Sequence, residues 1–257
     1  MGSSQVQGAL WGTHPEDWAT FAEPTTSALW DALIAGVGVS DGVTLLDMGC
    51  GAGGLATKAA QKGAKVTGID AAETLIEIAK GKLPRGEFHV GDIENLPFEN
   101  DTFDAVIACN SIQFAEDRVA AAKEAKRVLR PGGRFGIGMW CEPEKCEFAP
   151  IFKAVQEIMP PPPRPPEPLL SERANLLDVI DQAGFNVLDE KEVDCLFHFG
   201  DDDQFWRGLR AAGMMVAAAR TVGEEKLREA LLSAARPHKD SDGGYRFVNR
   251  FRCVIAD

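Results

Sequence analysis

The chain has 257 residues, of which 45% are hydrophobic and 26% charged, and this composition is typical of a globular protein with a sizeable buried core. With 39 acidic against 27 basic residues its net charge is −12, which disfavours nucleic acid as a partner because phosphates are repelled. The sequence lacks a membrane-length apolar run and a secretory leader pattern, so a cytoplasmic location without membrane attachment is predicted.

Six cysteines are scattered along the chain, and most fall in apolar stretches, which favours small buried side chains in a reducing compartment. Cys141 and Cys146 are the only closely spaced pair. A zinc site generally needs a second pair or spaced histidines, and none follows. No metal site is predicted.

Short apolar runs alternate with amphipathic runs between residues 43 and 140. The apolar runs predict strands over residues 43–48, 65–70, 88–90, 103–109 and 134–140. The amphipathic runs between them predict helices over residues 54–61, 72–82 and 117–129. This alternation predicts an α/β fold with a parallel sheet, in which ligands collect beyond the carboxyl ends of the strands.

The pattern changes after residue 140. Residues 141–170 are predicted to be irregular. They include a proline tract, residues 160–166, which predicts a stiff connection. A helix over 172–182 and a strand over 185–193 follow. Residues 201–236 predict two helices interrupted near Thr221, and the alternation of residues 245–256 predicts a last strand.

A glycine-rich loop, DMGCGAGG at residues 47–54, joins the first predicted strand to the first predicted helix. Glycines there allow positive φ and close approach of a ligand to the backbone, beside free N–H groups at the helix start. Asp70 ends the next strand, where a carboxylate can accept hydrogen bonds from ribose hydroxyls. These features suit a dinucleotide as well as another adenosine-bearing cofactor.

Three further features favour a cationic cofactor over a dinucleotide. Asp47 lies two residues before Gly49, where a carboxylate would repel a pyrophosphate but attract an ammonium or a sulfonium. Asp92 can accept from an adenine amine while Ile93 packs on the ring. The sequence RVLRPGGRF at residues 127–135 closes a helix and opens a strand.

With these motifs the sequence resembles the class I S-adenosylmethionine-dependent methyltransferases, and among them the UbiE-like or type 11 small-molecule branch. The resemblance is strong over residues 43–140 and weaker in the flanks. It implies a Rossmann-like, doubly wound, seven-stranded and mostly parallel sheet with an antiparallel last strand. It also implies S-adenosylmethionine as cofactor and S-adenosylhomocysteine as product.

The resemblance implies a set of cofactor-binding residues. Asp47, Gly49, Gly51 and Gly53 would contact the methionine portion, Asp70 the ribose, Asp92 and Ile93 the adenine, and Asn110 with Ser111 and Gln113 would lie near the sulfonium. The neighbouring positions Cys50 and Ala71 belong to the same set. Trp18 matches an aromatic residue that related enzymes carry on an N-terminal segment over the cofactor.

We expect residues 1–40 to form a helical flap and residues 41–257 to form the methyltransferase domain. Two insertions, at about residues 141–170 and 201–244, are expected to form a lid. The lid is rich in aromatic and methionine side chains, which favours a small, partly hydrophobic or aromatic substrate.

Methyl transfer is an in-line displacement with a neutral leaving group, so most of the acceleration can come from positioning. A general base is needed only if the acceptor loses a proton, and the candidates are His14, His198 and Glu23. The acceptor atom, whether oxygen, nitrogen or carbon, stays open. The alternatives are an NAD-dependent oxidoreductase and a non-catalytic cofactor-binding protein on the same fold.

Overall fold

A seven-stranded sheet forms the centre of the computed structural model, which describes residues 3–161 and 168–257. Its strands are β1 Thr44–Met48, β2 Lys65–Asp70, β3 Glu87–Val90, β4 Phe103–Cys109, β5 Leu129–Trp140, β6 Val187–Phe199 and β7 Tyr245–Ala256. The spatial order is β3-β2-β1-β4-β5-β7-β6. The first five pair in parallel, whereas β7 runs antiparallel to both β5 and β6. The predicted fold class is confirmed.

Helices cover both faces of the sheet. They are α1 Ser3–Trp11, α2 Pro15–Asp17, α3 Ser27–Gly36, α4 Gly54–Gln61, α5 Glu73–Lys82, α6 Arg118–Val128, α7 Ala149–Ile158, α8 Arg173–Gln182, α9 Asp202–Arg210, α10 Gly213–Val222 and α11 Glu224–Ala235. Alternate residues of each central strand enter opposite cores: Leu45 joins the core with α3 and α4, and Leu46 joins the core with α6 and α8. This doubly covered arrangement explains the almost continuous apolar run in β4.

The predicted elements between residues 43 and 140 are confirmed, but two predictions in the later segments are wrong. The segment expected to be irregular contains α7, which begins with Pro150 in its first turn and buries Ile151 and Val155 one turn apart. Residues 201–236 form three helices, because the chain also breaks at Ala212, which has an extended backbone. Gly213 follows this break, and a Cβ there would lie 2.7 Å from the Trp11 indole nitrogen.

The N-terminal segment and the second insertion are fastened to each other. Asp17, which is buried, accepts hydrogen bonds from the guanidinium groups of Arg207 (2.8 Å) and Arg210 (2.7 Å) on α9. Burial raises the pKa of Asp17, but the hydrogen bonds from the two arginines outweigh it and hold the pKa below its ordinary value. An ionised carboxylate thus joins residues about 190 positions apart in the chain.

Part of the predicted proline connection, residues 162–167, lies outside the described residues. Within the ranges that the structure describes, no helix is long and apolar enough to cross a membrane. The cytoplasmic location stays a prediction, and so do the domain and lid boundaries.

Candidate functional site

The glycine loop between β1 and α4 has the backbone conformation that its sequence predicts. Gly49, Gly51 and Gly53 have φ values of +81°, +52° and +78°, which side chains with a Cβ rarely adopt. A Cβ on Gly49 would lie only 2.2 Å from the Cβ of Ser111. Gly53 serves packing, since it lies against Ala79 of α5 and does not line the cavity described below.

Two acids flank this loop at the carboxyl ends of β1 and β2. Asp70 accepts the Gly51 N–H and the Ala72 N–H, both at 2.9 Å, so it fixes the loop and the start of α5. Asp47 is almost fully buried, and within the described ranges its Oδ2 has no hydrogen-bond partner. Burial, followed by the charges of Glu23 and Asp70, raises the pKa of Asp47 well above its usual range.

A third acid comes from the N-terminal segment. Glu23 is buried, and its Oε1 accepts the Ala52 N–H at 2.7 Å while its Oε2 lies 3.3 Å from Lys82 Nζ. Burial raises the pKa of Glu23, although Lys82 and the Ala52 N–H act in the opposite direction. Glu23 and Asp70 therefore hold successive N–H groups of the glycine loop from two different elements.

The loop after β4 carries the next group of predicted residues. Asn110 adopts φ +54°, a conformation that asparagine tolerates better than most residues, and its buried Oδ1 finds no partner in the described part of the chain. The Ser111 hydroxyl donates to the Met48 carbonyl, and the Gln113 amide donates to the Asn110 carbonyl at 3.3 Å. These contacts join the ends of β1 and β4.

One cavity of about 930 Å³ extends over the carboxyl ends of the parallel strands. Its volume is near the upper end for ligand sites, which is enough for two small molecules side by side. One end, which we call the cofactor half, is lined by residues of the loops after β1 to β4 and of the N-terminal segment. It contains Trp11, Trp18, Glu23, Asp47, Gly49, Cys50, Gly51, Asp70, Ala71, Asp92, Ile93, Asn110, Ser111 and Gln113.

The other end, which we call the acceptor half, is mainly aromatic and aliphatic. It is lined from β5, α7, β6 and the second insertion by Trp140, Cys141, Cys146, Phe148, Phe152, Lys153, Gln156, Phe197, Phe199, Leu209, Met214 and Met215. The Trp140 ring is the centre of an aromatic cluster, with Phe251 at 4.4 Å, Phe152 at 5.4 Å and Phe197 at 5.5 Å between ring centroids. This end suits an apolar or aromatic ligand.

Ionisable groups differ between the halves. All four carboxylates among the described lining residues, those of Glu23, Asp47, Asp70 and Asp92, lie in the cofactor half, and none of the described lining residues is a histidine. Burial raises the pKa of the lining cysteines, that of Cys109 well above its usual range and that of Cys141 to about 11. Those thiols are protonated at neutral pH.

The structure brings most of the predicted site residues together. Of the cofactor-binding set only Gly53 lies outside the cavity lining. Of the three base candidates only Glu23 reaches the cavity. His14 occupies the N-cap position of α2 without a side-chain capping bond, beside Arg210 and Asp17, and His198 is exposed on β6 opposite Arg246; neither lines the cavity. For His198 the strand alternation was a signal, because its neighbours Phe197 and Phe199 line the cavity and successive side chains of a strand face opposite sides.

Sequence reasoning missed several lining residues. Lys153 and Gln156 lie on α7, which the proline-rich surroundings concealed, although the spacing of Ile151 and Val155 was a helical signal. Trp11 packs edge-on against Trp18 at 4.8 Å and against Phe114 at 5.1 Å. No local pattern indicates that Trp11 lies over the motif loops, because α1 is held there by distant contacts such as Ser3 with Glu94.

The cofactor half fits S-adenosylmethionine. Three of its polar atoms are buried without a hydrogen-bond partner among the residues that the structure describes, namely Asp47 Oδ2, Trp18 Nε1 and Asn110 Oδ1. Buried polar atoms usually have partners, so a bound polar ligand would satisfy these three. Two are acceptors beside further carboxylates, which matches a ligand that carries an ammonium and a sulfonium and not one that carries a pyrophosphate.

Comparison with known proteins agrees with this geometry. Residues 46–137 match the family described as a methyltransferase domain. The chain is 34% identical over 139 residues to an uncharacterised protein of Mycobacterium tuberculosis, across 52% of this chain and 50% of that protein. It is 31% identical over 182 residues to the O-methyltransferase cnsE of Penicillium expansum, across 66% of this chain and 63% of the relative.

Among solved structures, the [4+2]-cyclase SpnF has a similar fold, with a TM-score of 0.59 and 22% identity over 89% of this chain and 79% of that chain. The two sequence relatives are matched only in part: the chain covers about half the length of the mycobacterial relative and somewhat more of the fungal one. Residues 46–137 thus match the predicted methyltransferase family, the similarities agree with S-adenosylmethionine as cofactor, and they do not favour an NAD-dependent oxidoreductase.

Proposed function

We propose that this chain, whose residues 46–137 match a methyltransferase domain, is a class I S-adenosylmethionine-dependent methyltransferase that methylates a small, partly apolar or aromatic metabolite. The observation that carries the proposal is the division of one continuous cavity into a polar, acidic half and an aromatic half. A charged donor and an apolar acceptor would then meet where the two halves join.

The junction of the two halves is where the reacting atoms would meet. Cys109 and Asn110 at the end of β4 and Trp140 at the end of β5 line the cavity there. S-adenosylmethionine supplies an electrophilic methyl group when it is bound. The residues contribute orientation: the glycine loop and Asp70 fix one reactant, and the aromatic walls fix the other, so that the reaction becomes effectively unimolecular.

The acceptor half provides little acid–base chemistry. Its described lining residues include Lys153, Gln156 and protonated thiols, but no carboxylate and no histidine. The acceptor should therefore present a nucleophile that is already reactive, such as a phenolate, an amine or an electron-rich carbon. Under this proposal the protein excludes water and aligns the nucleophile, and no residue of the acceptor half removes a proton in the rate-limiting step.

Methyl transfer is the best supported activity, but it is not the only one that this fold carries. The [4+2]-cyclase SpnF has a similar fold, so fold alone does not decide between group transfer and another reaction in an apolar cavity. The acceptor half adjoins the cofactor half, which contains hydrogen-bond acceptors without a partner among the described residues, so the cavity has room for a second reactant beside the cofactor. This favours an enzyme that transfers a group from its cofactor over a protein that only binds the cofactor.

The decisive experiment is incubation with S-adenosylmethionine that carries a labelled methyl group, against a library of aromatic and isoprenoid metabolites with a mass readout. We expect label in at least one apolar acceptor, and no transfer by the Asp70→Ala variant. Cofactor binding in calorimetry without any labelled product would contradict methyl transfer. Absence of cofactor binding would contradict the proposal altogether.

A further inference from the structure

Glu23 is the one acid of the cofactor half that comes from the N-terminal segment, whereas Asp47 and Asp70 come from the sheet. It is buried, and a Cβ added to Gly51 or to Gly54 would lie 2.7 or 2.9 Å from its carboxylate oxygens. The carboxylate thus lies against the glycine loop itself. Its contact with the Ala52 N–H connects the segment over the cavity to the loop beneath it.

The charges around Glu23 are not balanced. From β1 and β2 it faces the acids Asp47 and Asp70, and from α5 it faces Lys82, whose Nζ is 3.3 Å away. Two buried carboxylates, those of Glu23 and Asp47, and the half-buried Asp70 thus lie close together, and Lys82, which contacts Glu23, is itself about one-third exposed. Among the described residues, Asp47 Oδ2 has no hydrogen-bond partner. An excess of buried negative charge is unfavourable unless a cation joins it.

The donor and the product of methyl transfer differ by one positive charge. When the carbon–sulfur bond breaks, its electron pair stays on sulfur, and the sulfonium becomes a neutral thioether. Both molecules keep their ammonium and carboxylate. An acidic site near the sulfur therefore attracts the donor more strongly than the product, and in a partly buried site this attraction is strong.

We propose that Glu23 is a specificity-determining residue that makes the N-terminal segment favour the sulfonium donor over its neutral thioether product. This inference rests on the proposed function. Glu23 differs from Asp70 in that only one of its oxygens accepts a backbone N–H while the other contacts the Lys82 ammonium, whereas both oxygens of Asp70 accept backbone N–H groups. Because Glu23 belongs to the covering segment, loss of the sulfonium charge weakens the hold of that segment on the bound product, which favours product release.

The test is calorimetric titration of the full chain with S-adenosylmethionine and, separately, with S-adenosylhomocysteine. Glu23→Gln keeps an oxygen for the Ala52 N–H but removes the charge. We expect its affinity for S-adenosylmethionine to fall about tenfold while its affinity for S-adenosylhomocysteine changes less than twofold. The matched control is Glu16→Gln, an exposed acid in the same segment, which should change neither affinity.

A second variant changes the charge in the opposite direction and decides the question if Glu23→Gln does not fold. Lys82→Met removes the cation beside Glu23, so the preference for S-adenosylmethionine over S-adenosylhomocysteine should rise about threefold. Equal losses for both ligands in Glu23→Gln, or no loss, would overturn the inference, as would an unchanged preference in Lys82→Met. If the unaltered chain binds neither ligand, the proposed function itself fails.

Discussion

The two halves of the cavity are built in different ways. The cofactor half uses backbone groups and short polar side chains from loops that directly follow β1 to β4, and its atoms are fixed by bonds such as Gly51 N–H to Asp70. The acceptor half uses large side chains from β5, β6, α7 and the second insertion. Backbone groups of the cofactor half cannot be altered by side-chain substitution, whereas the acceptor half can be changed by substituting side chains.

The largest expected effect is in the cofactor half. Asp70→Ala removes a carboxylate that fixes two loop N–H groups and would hold the ribose, so we expect the affinity for S-adenosylmethionine to fall about 100-fold or more in calorimetry. The exposed Glu73→Ala, three residues further on, is the control and should bind normally. Unchanged affinity in Asp70→Ala would remove Asp70 from the site.

A substitution in the acceptor half should affect acceptor turnover without affecting cofactor binding, and so distinguish the roles of the two halves. Phe152→Ala deletes a half-buried ring of the aromatic cluster, and we expect kcat/KM for the acceptor found in the labelling screen to fall about 20-fold. The dissociation constant of S-adenosylmethionine should stay within twofold. Phe98→Ala, which removes a half-buried ring that contacts His89 and Phe103 outside the cavity, is the matched control. If cofactor affinity also falls in Phe152→Ala, the two halves are not independent.

The acidic half should carry a cost in stability when no cation is bound. The pKa of Asp47 is raised in the folded chain, so its contribution to stability is present below its unfolded pKa of 3.8 and is lost as the pH rises through the folded value. As the pH rises above 3.8, urea unfolding without cofactor should show a smaller loss of stability in Asp47→Asn than in the parent chain. The exposed Asp41→Asn should follow the parent. If the stability of Asp47→Asn depends on pH in the same way as that of the parent chain, burial does not raise the pKa of Asp47.

The smallest expected effect concerns the ion cluster that connects the N-terminal segment to the second insertion. Asp17→Asn weakens the contacts with Arg207 and Arg210, so the N-terminal segment should open more often. Because the arginines are partly exposed, we expect about a fivefold faster dissociation of S-adenosylmethionine, near 1 kcal/mol. Stopped-flow tryptophan fluorescence would measure it, with the exposed Asp203→Asn as control. An unchanged rate would show that this ion cluster does not limit opening.

Between β1 and β5 the sequence was sufficient, because the signals there are local. Each strand and helix is defined by the periodicity of its own apolar residues, and the positive φ values at Gly49 and Gly51 are required by the turn that these residues make. Parallel strands then bring Asp47, Asp70 and Asn110 to one edge of the sheet. The resemblance to the methyltransferase family, and the cofactor that it implies, follow from this order of residues.

The acceptor half and the covering segment depended on the tertiary structure. Nothing in the sequence around Asp17 indicates a partner about 190 residues away, and nothing around Glu23 indicates that it reaches the glycine loop. These placements arise from packing between segments that are distant in the chain. Local composition determines which elements form, but contacts across the whole molecule decide what those elements cover.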